Sequence, residues 1–174
     1  MTAIEASADP DPRLISRVHG VVLAAQGQYV RCIDDDRLED WPGFFTNDCH
    51  YRITTADNYR RGLPAGIVWA DTRDMLTDRV SALREANIYE RHGYRHLLGA
   101  PAVLSAEDAG GGLLQVRSET SFLVVRITGN GPTDLFASGR YLDHYQVRED
   151  RALVRERVVV CDSSQIDTLL AVPL

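Results

Sequence analysis

After residue 93 the chain keeps to one texture: four long stretches rich in Val, Leu, Tyr and Phe, at 94–106, 112–128, 134–148 and 152–161. Each is parted from the next by a short break. The breaks are 107–112 with its three glycines, then Gly129, Asn130, Gly131 and Pro132, then 148–151. Glycine and Asn between apolar runs are hairpin signals, because tight turns need backbone angles that other residues resist. Four successive strands joined this way predict an antiparallel meander. The runs exceed the usual strand of ~5–6 residues, so bulges and strong curvature are expected.

The part before the strands is helical. Asp11 followed by Pro12 suits an N-cap and first turn, since Pro there loses only an N–H that has no partner. Leu14, Val18, Val21, Val22, Ala25 and Tyr29 then share one helical face. Asp34, Asp35 and Asp36 end that helix, and a second, shorter one is expected around Leu38, Trp41, Phe44 and Phe45, with Pro42 in its first turn or bending it. Residues 49–54 read as a strand and the polar stretch 55–63 as a loop. A third helix starts near Thr72, whose hydroxyl can accept from the Met75 N–H, and Met75, Leu76, Val80 and Leu83 form its stripe. Helices first and strands last give an α+β domain, the helices covering one face of a curved, mainly antiparallel sheet. One domain over 1–174 is expected, with 1–10 as a flexible N-terminus.

Charge and cysteine content narrow the classes. A net charge of -6 repels a phosphate backbone, so nucleic acid is not an expected partner. The acidic, Pro-punctuated start lacks the charge and apolar order of a secretory signal, and the apolar runs are far too short to cross a membrane. A cytoplasmic chain is expected. Cys32, Cys49 and Cys161 are odd in number and far apart, hence reduced and buried rather than paired.

The search for chemistry returns mostly exclusions. A Rieske cluster needs two Cys and two His in paired loops, whereas Cys49 and His50 are adjacent with no second pair. His92 and His96 are four apart, but Gly93 and the onset of a strand keep them off one helical face, so no metal site is expected. No Gly-x-Ser-x-Gly elbow occurs, and the glycines at 110–112 lack the Lys and helix of a phosphate loop. A curved sheet under helices can enclose an acid–base pocket. For such an autonomous enzyme, or for a plain small-ligand binder, Tyr51, Asp57, His96, Asp143 and His144 are the candidates. Asp143 and His144 are neighbours on a strand, however, and must face opposite sides. Arg79 either answers Asp74 and Asp78 locally or crosses to a carboxylate on another element. Arg117, Arg126, Arg140, Arg148, Arg155 and Arg157 on the strands fit a solvated face and a polar subunit interface equally well.

Several stretches carry a resemblance: WPGFFTNDCHYR at 41–52, GIVWAD at 66–71, MLTDR at 75–79, REANIYER at 84–91, YRH at 94–96, CDS at 161–163 and DTLLAVPL at 167–174. With the order of elements, they are similar to the small (beta) subunits of Rieske-type aromatic-ring-hydroxylating dioxygenases. Within that family they look like the members acting on terephthalate, a benzene dicarboxylate. The resemblance implies a cystatin-like, nuclear-transport-factor-2-like cone with no iron of its own. It implies a large (alpha) subunit carrying a Rieske 2Fe–2S cluster and mononuclear Fe(II). Three large and three small subunits would form a hexamer, the small ones associating as a trimer. A reductase would supply electrons from NADH, and the product would be a cis-dihydrodiol. No catalytic, cofactor-binding or metal residue carries over. Trp41, Arg79, Tyr94, Arg95 and His96 are the structural and interface candidates.

Overall fold

Helix α1, Pro12–Asp34, turns its apolar stripe inward: Val18, Val22, Tyr29, Cys32 and Ile33 are buried, and Leu14, Val21 and Ala25 pack partly buried against the same core. The computed structural model describes residues 12–64, 66–86, 92–129, 131–163 and 172–174, so the cap expected at Asp11 and the N-terminal stretch 1–10 lie outside the described residues. Gln26 sits within the buried stripe, a polar residue that demands partners in the interior.

The second helix shrinks to a single 3₁₀ turn, Trp41–Phe44, with Pro42 at its start. Phe45 does not belong to it. It opens strand β1, Phe45–Thr55, which is longer than the expected 49–54. Pro42 limits the helix, and the aromatic side chains beyond it pack better from an extended backbone. Trp41, Phe45 and Tyr51 meet edge to face, with ring centroids 5.3 to 5.8 Å apart.

The expected loop at 55–63 holds a short helix, α2, Ala56–Arg60. Its cap is Thr55, whose side chain accepts from the Asn58 N–H at 3.2 Å. A three-residue strand, β2, Val68–Ala70, pairs antiparallel with β1 and was not anticipated. Helix α3, Arg73–Ala86, starts as expected, with the Met75 N–H donating to the Thr72 hydroxyl at 3.2 Å. Leu76 and Val80 are buried, while Met75 faces outward. Arg84 crosses from α3 as a planar fork. It reaches Glu39 at 2.7 Å and Asp36 at 2.8 Å, and also donates to the Asp36 carbonyl.

The expected strand at 94–106 is two strands, β3, His92–Leu98, and β4, Ala102–Asp108. Both pair antiparallel with β5, Leu113–Thr128, at its opposite halves. Pro101 brings no N–H to the ladder, and Gly99 donates to Ser121 at 2.8 Å as the chain steps between registers. Strands β6, Thr133–Arg148, and β7, Arg151–Cys161, complete the meander, and β1 joins β7 in parallel, giving the order β2-β1-β7-β6-β5-β3 with β4 beside β5.

The curvature has identifiable causes. Leu104, Phe136 and Arg155 are extra residues in the β4–β5, β5–β6 and β6–β7 ladders. Each bulge bends its strand and shifts the alternation of faces. At Gly139 the strands approach so closely that an added Cβ would lie 2.1 Å from the Val160 carbonyl oxygen. The sheet curls around α1 as the α+β cone the sequence predicts.

Candidate functional site

The concave interior carries a polar cluster. On β6, Asp143 and Tyr145 face inward, and on β7 so does Arg157. Strict alternation from Ala152 and Val154 would send Arg157 outward. Arg155, held out by Asp48 of β1, takes up one residue and reverses the parity. Asp143 then lies opposite Arg157 in the ladder. Arg157 donates from Nε and Nη2 to the two Asp143 carboxylate oxygens at 2.7 and 2.8 Å, with both side chains wholly buried. Its guanidinium lies 4.1 Å from the Tyr29 ring centroid and 4.3 Å from that of Tyr141. This corrects the expectation that all six strand arginines lie on an outer polar face.

The remaining partners come from α1 and neighbouring strands. The Tyr145 hydroxyl donates to Asp143 at 2.9 Å, and Gln26 Nε2 lies 3.2 Å from the same carboxylate and 2.9 Å from the Thr120 hydroxyl. Deeper in, Tyr29 and Tyr51 donate to the Leu174 carbonyl oxygen at 2.9 and 3.1 Å. The Leu174 N–H donates to the Tyr51 oxygen at 3.2 Å.

Burial sets the protonation of this cluster. It pushes Tyr51 and Tyr141 well above the ordinary tyrosine value, and it raises Tyr145, where the Asp143 charge adds to the effect. For Arg157 burial opposes the charge, but Asp143, Tyr145 and Tyr29 outweigh it and the pKa rises. Near neutrality these groups neither give up nor take up a proton. The cluster is a fixed, charge-balanced scaffold, the opposite of a poised acid–base pair.

The five acid–base candidates are not assembled. Asp143 and Tyr51 are in the interior, and Asp57 pairs with Arg60 on exposed α2. His144 lies on the outer face, its pKa lowered by partial burial and then by Arg117. His96 is buried at the end of α1, with Nδ1 2.6 Å from Asp34 Oδ1 and its backbone N–H donating to Asp34 Oδ2 at 3.0 Å.

Among the structural candidates, Trp41 is in the core, and Tyr94 is buried with its ring stacked on Phe136 at 5.0 Å. Arg95 is exposed, 3.7 Å from Asp34, and Arg79 is partly buried on α3. A cavity of about 640 Å³ opens where Ile33, Asp34, Leu83, Tyr94, Ile127 and Val172 meet.

Among the described residues no three His, Cys, Asp or Glu side chains converge as metal ligands. The three cysteines are free and buried. Burial pushes the Cys32 and Cys49 thiols up to about 11 and Cys161 to about 12. They are poor ligands and poor nucleophiles at neutral pH. Sequence reading missed Gln26, Thr120, Tyr145 and the buried seat of Leu174, and it grouped Arg157 with the outer-face arginines. The one available signal was Gln26 in an apolar stripe, which called for a buried polar partner.

An α+β cone whose interior is occupied by its own ion pair, tyrosines and chain segment has the make-up of a scaffold. The family model for the ring hydroxylating beta subunit matches residues 28–168. The chain is 52% identical, over 88% of its length and 96% of the relative's, to the terephthalate 1,2-dioxygenase terminal oxygenase component subunit beta 1 of a Comamonas species. It is 38% identical to the anthranilate 1,2-dioxygenase small subunit of Burkholderia cepacia, covering 88% and 92% of the two chains. The crystal structure of a beta subunit assigned to an aromatic-ring-hydroxylating dioxygenase from Novosphingobium aromaticivorans superposes with a TM-score of 0.82. Identity there is 33%, with 92% of this chain and 99% of that one covered. The chain belongs to the ring-hydroxylating beta subunits, and it is a structural small subunit of a ring-hydroxylating dioxygenase.

Proposed function

We propose that this subunit braces an oxygenase acting on a benzene dicarboxylate of the terephthalate type. The observation that carries the substrate class is the 52% identity across nearly the full length of a terephthalate 1,2-dioxygenase beta subunit. In this reading the large subunit holds the Rieske cluster and the mononuclear Fe(II), and a reductase passes electrons from NADH. The small subunit holds large subunits in register and stabilises them by mass action. Three of each chain form the hexamer, with the small subunits meeting as a trimer in the cytoplasm. No described helix is long and apolar enough to cross a membrane, in keeping with that location.

The interior supports a bracing role, since Arg157, Tyr145 and Gln26 all converge on the Asp143 carboxylate. Trp41, Tyr94 and His96 act from inside, fixing the aromatic core and tying α1 to β3, and partly buried Arg79 on α3 is counted with them. Arg95, exposed beside that tie, is the member of the set placed to meet a partner. Arg117, Arg140 and Glu156 on the outer face supply further polar contacts of the kind interfaces use.

Co-expression with the large subunit tests the reading. The expected results are a hetero-oligomer of three plus three chains, iron retained with the large subunit, and a cis-dihydrodiol formed from terephthalate when reductase and NADH are added. Turnover of an aromatic acid by this chain alone would overturn the scaffold role. An oligomer active on other aromatics and inactive on terephthalate would overturn only the substrate class.

A further inference from the structure

The innermost occupant of the cone is part of the chain itself. Leu174 is fully buried, and Val172 is 9% exposed at the wall of the 640 Å³ cavity. The Leu174 backbone is held through both of its polar groups: its oxygen receives two tyrosine hydroxyls, and its N–H donates to one of them. Two convergent donors on one oxygen, at 2.9 and 3.1 Å, form the head end of a small-molecule site. The body end is aromatic, because Tyr51 stands edge to face with Trp41 and Phe45, and Tyr29 with Phe44. Two further buried polar atoms, Arg157 Nη1 and the Tyr141 hydroxyl, have no hydrogen-bond partner among the described residues. Both belong to the stack that flanks Tyr29. Val172, two residues before the buried Leu174, lines the open cavity.

We propose that residues 172–174 are a tethered internal ligand, filling a built site for an apolar molecule with a carbonyl or carboxylate head. The segment competes with any free ligand at very high local concentration, so the intact chain binds nothing there. Vacating the segment exposes the tyrosine pair, and the cone then takes up a small aromatic carboxylate. This is separate from the role in the oxygenase, and its test reads binding rather than assembly.

Trp41 lies against Tyr51, with ring centroids 5.3 Å apart, and serves as reporter once exposed Trp69 is replaced by Phe. In that background the full chain and a variant lacking 172–174 are titrated with benzoate, benzamide and toluene, with far-UV circular dichroism as the folding check. The expected result is saturable change in Trp41 fluorescence with benzoate and benzamide in the shortened chain, and none in the full chain. Tyr29→Phe with Tyr51→Phe in the shortened chain weakens that binding at least about tenfold, the worth of two hydrogen bonds to the head group. A folded shortened chain that binds neither acid nor amide overturns the proposal. So does a full chain that binds as tightly, or toluene binding as well as benzoate.

If the shortened chain does not fold, Tyr51→Phe in the full chain decides. Hydrogen exchange at the Leu174 amide should accelerate at least about tenfold, because one of its oxygen's donors and its own acceptor are gone. Unchanged exchange means the backbone is not held as a ligand and sinks the idea.

Discussion

Strands β6 and β7 show two faces built from the same residue types with opposite outcomes. Inside, Asp143 and Arg157 close a two-pronged bond at 2.7 and 2.8 Å, wholly buried. Outside, one residue along each strand, His144 and Glu156 oppose one another on the partly exposed surface with Arg117 nearby. Across the same outer face Arg140 reaches Glu119 only at 3.4 Å, with both side chains more than a third exposed. A charged pair deep in a core must be complete, since removing one member strands the other away from water. A charged pair at the surface is interchangeable with water and contributes little. Composition is therefore silent about which arginine matters, and parity along the strand decides.

The sharpest way to break the comparison is Arg157→Met. It should lower unfolding free energy by about 3–5 kcal/mol in urea titrations, because Asp143 is left buried and unpaired. Replacing Asp143 by Leu as well should recover most of the loss, and failure to recover would mean that the aromatic stacking on Arg157 outweighs its charge. Next comes Gly139→Ala, between the faces, where a methyl meets the Val160 carbonyl at an impossible distance. A loss of about 1–3 kcal/mol is expected from the forced shift of backbone, read from the same titrations.

The pH dependence separates the two faces by sign. Tyr51, Tyr141 and the three thiols have folded pKa values above their ordinary 10.0 and 9.0. Their stabilisation is complete below pH 9 and is lost as pH climbs through 9 to 12, because the unfolded chain releases those protons first. On the outer face His144 has a lowered value, so its smaller contribution is present above pH 6.5 and fades as pH falls. Thermal melts from pH 5 to 11 should show the steep fall on the alkaline side, and His144→Gln should alter only the acid side. The smallest effect is expected from Glu156→Gln, within about 0.5 kcal/mol for the isolated chain. A larger loss would mean that the outer face is tied down as firmly as the inner one.

Much of the architecture was legible. The 3.6-residue stripes of α1 and α3, the Thr72 cap and the long runs of β5, β6 and β7 are local signals strong enough to stand alone. β2 was not legible because three residues carry no period, and α2 hid in a polar stretch whose only marker was Thr55. The 94–106 run looked continuous because Gly99 and Pro101 interrupt pairing without changing hydropathy. The interior cluster was concealed for a different reason. Arg157 is grouped with the other strand arginines by residue type alone, whereas its orientation depends on a bulge that only the neighbouring strands define. The seat of Leu174 rests on contacts with Tyr29 and Tyr51, more than a hundred positions away.

The bulge at Arg155 makes β7 behave like a message with a reading frame. Substituting its letters one at a time leaves the frame intact, but ironing out the bulge with every residue kept would turn everything downstream inside out, sending Arg157 into water, whereas deleting residue 155 outright would leave Glu156 outside and Arg157 inside on a plain strand. Relatives that keep the cone should therefore vary freely in spelling along this strand, and in length only by the one residue that the bulge absorbs.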